Sequence, residues 1–216
     1  MKTLTKTLCS PSLLFLAAGL LLAGCGPTST GDDDDSSGDD DDDDDDGAAN
    51  GWPESPDPGY TGDGHAVGDA AMNLTAQDQN GNDVDLHQFM GSMILLDFSA
   101  LWCVPCNEAA ATAQSCFEEI QAEAPYDFWY LHLLVDDETP GAPWADAGHA
   151  TAWSSTYGLE FPVLAGDSVA DYATAMGAEA LPTFAVLDQN MVIREIWTGE
   201  PTCAELADRV GSHAGM

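Results

Sequence analysis

The chain has 216 residues, 44% of them apolar, and carries 38 Asp and Glu against four Lys and Arg, a formal net charge of −34. Phosphate contacts need a basic surface, so nucleic-acid binding is excluded. Twelve of the acids fall in two aspartate runs, at 32–35 and 39–46, and the rest of the chain is strongly acidic without them, which fits either adaptation to salt or simple solubility.

Lys2 and Lys6 stand ahead of an apolar run at 13–23 that ends in Leu22-Ala23-Gly24-Cys25. A charged start, a short apolar stretch and small residues read as a secretory signal over residues 1–24, too short to span a membrane comfortably. The Leu-Ala-Gly-Cys ending resembles a bacterial lipobox, in which Cys25 becomes the lipidated first residue; an ordinary signal would instead leave Cys25 in the mature chain. Gly26 stands where an inner-membrane retention Asp would be, which favours the outer membrane. Cleavage removes both lysines and Cys9 and leaves Arg194 and Arg209 as the cations. Residues 26–60 are Gly, Ser, Pro and Asp with almost nothing apolar, so 25–62 reads as a disordered tether extended by its like charges.

The folded domain is expected over 63–216, starting near Val67. Short strands at 72–76 and 84–86 flank Asp78-Gln79-Asn80-Gly81-Asn82-Asp83, and Asn-Gly there signals a hairpin. The Asp and Asn spacing lacks the bidentate Glu of a calcium loop. An apolar strand from Ile94 then breaks into Trp102-Cys103-Val104-Pro105-Cys106 and a helix over 107–122. Residues 127–135 read as a buried parallel strand. A Pro- and Gly-bearing loop at 136–147, a helix at 150–157, a strand at 161–164 and a helix at 169–176 follow. Pro182 directly precedes a strand, Asp188-Gln189-Asn190 turns into a last strand at 191–197, and Thr202 caps a closing helix to 213. This alternation specifies one α/β domain: a central mixed sheet, helices on both faces and an amino-terminal β-hairpin.

The chemistry sits at Cys103-x-x-Cys106. Two cysteines so spaced at a helix start can close a small disulfide ring. The first sulfur faces the free amides and positive dipole end of the helix, which favours its thiolate. A thiolate beside a partner thiol performs dithiol–disulfide exchange. Zinc would need two more soft ligands, and neither a second Cys-x-x-Cys nor a His-x-x-x-His pair exists, so no metal is expected. Cys103 is the expected nucleophile and exposed sulfur, Cys106 the resolving thiol, and Trp102 a cover over the site or a core residue. Asp97, in the apolar strand, should titrate high if buried and unpaired, unless it faces solvent at an edge. Beyond Cys25, four cysteines remain and allow three pairings. Local geometry selects Cys103–Cys106 and leaves Cys116 and Cys203 as a second, structural bridge or as two thiols.

These residues resemble the thioredoxin superfamily, and within it the membrane-anchored, extracytoplasmic thiol–disulfide oxidoreductases of the TlpA and ResA kind, over about 67–210. The resemblance implies that Asp97 moves protons to and from the resolving cysteine. It implies that Pro182 is the cis-proline facing the disulfide, with Leu181 touching substrate, and that the helices bearing Cys116 and Cys203 share a sheet face. The chain departs from the pattern at Asn107, usually basic, at Ala111, often proline, and at Ala109, where an acid is common and Glu108 lies one residue early. The expected function is exchange or reduction of disulfides in envelope proteins, apocytochromes c among the implied substrates. Electrons would come from a membrane thiol transporter, and the redox disulfide serves in place of a cofactor. Two rivals follow from related patterns. One is a peroxiredoxin-like peroxidase, suggested by Phe161-Pro162-Val163-Leu164 but lacking Thr-x-x-Cys. The other is a Sco-like copper carrier, whose pattern is Cys-x-x-x-Cys with a distal His rather than the two-residue spacing here.

Overall fold

The computed structural model describes residues 50–136, 140 and 143–215. The signal segment, Cys25, the aspartate runs and most of the expected tether lie outside the described residues, as do five positions of the 136–147 loop.

The sheet is built around β3 (Met93–Ala100), whose eight residues are all buried. Such a run needs cover on both faces and partners on both edges. On one edge it pairs in parallel with β4 (Phe128–Asp136), and on the other antiparallel with β6 (Thr183–Leu187). The remaining strands are β1 (Thr75–Gln77), β2 (Asp83–Asp85), β5 (Val163–Ala165) and β7 (Ile193–Thr198). The order across the seven-stranded sheet is β2-β1-β5-β4-β3-β6-β7. Side chains alternate across a strand, so neighbours in β3 report its two faces. Phe98 stacks on Tyr172 of α3 (Asp167–Ala175), while Asp97 meets His132, whose ring lies against Trp153 of α2 (Ala147–Tyr157). Helices therefore cover both faces, as the alternation of elements specifies. The other two helices are α1 (Val104–Glu123) and α4 (Cys203–Ser212), which pack together.

Helix α1 begins three residues before the expected start because Cys103 itself is the cap and Pro105 suits the first turn. Thr202 caps α4 in a reciprocal pair with Glu205, as its position in the sequence suggests. The turn after β1 is organised by Asp78, whose Oδ1 accepts from the amides of Asn80 and Asn82 at 2.8 and 2.9 Å, with Gly81 at φ 80°. The same Asp-Gln-Asn sequence recurs after β6. Asp188 Oδ1 accepts from Asn190 and Val192, and Met191, at φ 61°, takes a left-handed conformation like that of Gly81.

The start of the ordered domain also differs from the sequence reading. Residues 50–62, assigned to a disordered tether, are laid onto the domain. Trp52 packs edge-on against Trp129 and donates its indole N–H to Asp78 at 2.9 Å. Tyr60 packs edge-on against His87, and its hydroxyl donates to the Asn190 carbonyl. Two aromatic anchors suffice to hold a short polar strap. Averaging composition over the adjoining aspartate runs hides them.

Candidate active site

Strand β3 ends in an irregularity at Ser99 and Ala100, where the pairing with β4 shifts so that Ala100 faces Asp136. A bulge of this kind redirects the chain. The turn that follows is tied down by Cys103 N–H to Ala100 O at 3.1 Å, and Cys103 then caps α1. The Cys103–Cys106 disulfide is closed, with Cα atoms 5.2 Å apart. The amide of Cys106 donates to Cys103 Sγ at 3.2 Å. On reduction that N–H and the helix dipole face the thiolate, so the backbone supplies its stabilisation.

Cys103 is less accessible than expected: the residue is 2% exposed, against 0% for Cys106. A clamp holds the same turn. Asn107 Nδ2 donates to the carbonyls of Leu101 and Cys103 at 3.1 and 2.6 Å, drawing the turn back onto the first turn of α1. Asn107 Oδ1 in turn accepts from the Tyr157 hydroxyl at 2.5 Å. The sequence marks Asn107 only as a missing basic residue; its bracing role depends on Tyr157, 50 residues away.

Trp102 is 38% exposed and donates its indole N–H to Asp136 Oδ2 at 3.1 Å. It is therefore a surface residue with a fixed ring, not core. A cleft of about 180 Å³ runs from Trp102 past Val135, Asp136 and Trp144 to Glu179 and Leu181. The Leu181–Pro182 peptide bond is cis, and Pro182 is buried where it leads into β6. The structure thus brings Trp102 and Leu181 to one cleft beside the disulfide. Sequence reasoning missed Asp136 and Trp144 as partners of that cleft, having read both as loop.

Asp97 lies in the sheet centre, fully buried, which removes the solvated-edge alternative. Its Oδ1 accepts from Ser99 Oγ at 2.8 Å and its Oδ2 from the Tyr130 hydroxyl at 2.7 Å. His132 Nδ1 stands 3.4 Å from Oδ2, close enough for electrostatic interaction but without hydrogen-bond geometry. Burial pushes the Tyr130 phenol well above its ordinary value, and neighbouring Asp97 adds to the effect, so Tyr130 stays a donor. Burial pushes His132 down, partly offset by Asp97, which keeps the imidazole neutral. These two donors and the His132 ring are what make a buried carboxyl tolerable here.

Cys116, buried on α1, is joined to Cys203 at the start of α4, 87 residues away. Among the described residues, no group of three or more His, Cys, Asp or Glu could hold a metal ion. His149 pairs with Asp146 at the start of α2, as its surface position suggests.

Residues 67–196 match the model of the AhpC/TSA family. The chain belongs to that family. Curated relatives in this thioredoxin-like family include the thiol-disulfide oxidoreductase ResA of Geobacillus thermodenitrificans, 24% identical over 147 residues, covering 68% of this chain and 78% of that protein. Another is the thioredoxin-like protein YneN of Bacillus subtilis, 26% identical over 145 residues and covering 66% and 78%. Among solved structures, a secreted thiol-disulfide isomerase from Corynebacterium glutamicum superposes with a TM-score of 0.55 at 22% identity, over 74% of this chain and 94% of that one. StoA from Bacillus subtilis gives 0.51 at 17% identity, over 65% and 97%. The solved structures share the fold, and the family with its curated relatives carries the chemistry: this AhpC/TSA member is a thioredoxin-like thiol–disulfide oxidoreductase of the TlpA and ResA kind.

Proposed function

We propose that this oxidoreductase works outside the cytoplasm, tethered by lipid on Cys25, and reduces or exchanges disulfides of envelope proteins. The observation that carries the reading is a disulfide capping α1 beside a cleft that starts at Trp102 and reaches Leu181. The Cys116–Cys203 bridge supports an oxidising compartment and acts as a structural staple. In this reading residues 1–24 are the signal, a tether runs from Cys25 to the strap that begins at Asn50, and the rest is the catalytic domain.

The exchange balances as follows. The Cys103 thiolate attacks one sulfur of the substrate disulfide, forming a mixed disulfide and releasing the other substrate sulfur as a thiolate that takes up a proton. The Cys106 thiolate then attacks Cys103 Sγ, freeing the second substrate thiol and closing Cys103–Cys106. Two electrons pass from the dithiol to the substrate. A membrane thiol–disulfide transporter restores the dithiol by the same two steps in reverse. Asp97, with Tyr130 and Ser99 holding its oxygens, takes and returns the proton of the resolving thiol. Leu181 and cis-Pro182 contact the substrate chain, and Trp102 forms the cleft wall. Proteins of the apocytochrome c type, as the resemblance implies, are among the proposed partners.

The peroxidase alternative is weaker, because Ala100 stands at the Thr position of Thr-x-x-Cys and brings no hydroxyl, and the nearby hydroxyl of Ser99 is spent on Asp97. The decisive measurement is the Cys103–Cys106 reduction potential of the full chain, equilibrated against glutathione or dithiothreitol. A value near that of thioredoxin, about −270 mV, is expected; one near about −120 mV means disulfide donation and overturns the direction. A pair that does not cycle overturns the function.

A further inference from the structure

The residues around the nearly hidden Cys103 sulfur are unusually apolar for a surface. Trp102, which precedes Cys103, and Trp144 line one cleft and are exposed by 38% and 43%, and Val104, which follows Cys103, is exposed by 67%. Exposed large apolar groups gathered at one place mark a contact surface. The charged lining of the same cleft is of one sign: Asp136, whose carboxylate fixes Trp102, and Glu179, which is exposed at the rim. No cation lines it. Lysine is absent after Lys6, and both arginines are engaged elsewhere, Arg194 on Asp188, and Arg209 on Glu195 and over the Trp197 ring. An apolar floor with an acidic rim is complementary to a segment that carries a large apolar side chain beside a positive charge.

We propose that the cleft between Trp102, Trp144 and Leu181 selects extended cationic polypeptides, taking an apolar side chain next to the attacked cysteine and a neighbouring lysine or arginine against Glu179. The inference rests on the oxidoreductase reading and names its substrate class. Charge at the rim raises the rate of productive encounter, and the apolar contact holds the chain while Cys103 reaches its sulfur.

The test uses reduced full-length protein, freed of reductant, with two short peptide disulfides. Both place Phe beside Cys; one carries flanking lysines, the other flanking glutamates. The uncharged 2-hydroxyethyl disulfide is a third substrate. Release of substrate thiol in a single turnover gives the second-order rate constant. At low ionic strength the lysine peptide should react at least about tenfold faster than the glutamate peptide, and about 1 M salt should shrink the gap to below threefold. Glu179→Gln should shrink the gap at low salt at least threefold. Glu123→Gln, at the opposite end of α1 and about 30 Å from Cys103, should leave it unchanged. Replacing Phe by Ser in the lysine peptide should slow it about tenfold. Because each gap is a ratio on one protein, any general loss of activity cancels. Equal rates for the two charged peptides, or equal effects of the two Glu variants, would overturn the inference. Indifference to Phe would overturn its apolar half. Failure to react with all three disulfides would instead overturn the oxidoreductase reading beneath it.

Discussion

Helix α1 carries two disulfides to which the proposed mechanism gives opposite work. Cys103–Cys106 closes a ring of sequence separation 3 at the helix cap, whereas Cys116–Cys203 spans 87 residues and joins α1 to α4. Chain-entropy arithmetic assigns about 2 kcal/mol to the first loop and about 4.6 kcal/mol to the second. A bond that must open in every cycle should cost the fold little when open, and a local ring meets that condition. The long-range bond then holds the same helix in place while its cap is remade. Catalysis and stability are thus separated along one helix, thirteen residues apart.

Several substitutions would break this separation if it is wrong. The largest effect belongs to Cys103→Ser, which should reduce disulfide turnover to the uncatalysed rate. Cys106→Ser should accumulate a stalled mixed disulfide on Cys103, visible as added mass. Next, the double change Cys116→Ala with Cys203→Ala should lower unfolding free energy by about 2–5 kcal/mol in urea titrations while turnover persists. The double change Cys103→Ala with Cys106→Ala should cost no more than about 2 kcal/mol. Reversal of that order would contradict the assignment of roles.

Asn107→Ala, which releases the clamp on Leu101 and Cys103, should cost about 1–3 kcal/mol. It should also make the reduced Cys103 alkylate several-fold faster, because the turn is no longer held against α1. An unchanged alkylation rate would show that Asn107 does not limit access. The smallest effect is a pH dependence. Burial holds His132 below its ordinary value, so the unfolded chain accepts a proton near pH 6.5 that the folded protein refuses until lower pH. The contribution is complete above about pH 6.5 and is lost as pH falls through that value towards the folded pKa. His132→Phe should flatten the urea midpoint between pH 7.5 and 5; an undiminished slope would assign the dependence to other groups.

The fold was largely legible because it rests on local patterns. The β3 run, the Asn-Gly turn and the Thr202 cap each announce themselves within a few residues, and the Cys-x-x-Cys spacing names its own chemistry. What escaped were pairings set by the tertiary fold. Asn107 needs Tyr157, Trp102 needs Asp136, and Trp52 needs both Asp78 and Trp129. The Cys-x-x-Cys motif marks the positions of Trp102 and Asn107 but not their partners, and Trp52 stands in no periodic or motif context at all. The same holds for the exposure of Cys103, which reads as high from its position ahead of a helix and is low in the folded turn that Asn107 braces.

The strap at the chain's entry into the domain has a mechanical consequence. Asn50 donates to the Asp83 carbonyl on β2, and Trp52 reaches Asp78 in the adjoining turn. Trp52 also packs on Trp129 of β4, and Tyr60 donates to the Asn190 carbonyl in the turn after β6. Between β2 and the catalytic β3 lie β1, β5 and β4. A force applied at Asn50 would therefore be shared by the hairpin, by Trp129 of β4 and by the turn after β6, none of which includes the Cys103–Cys106 cap.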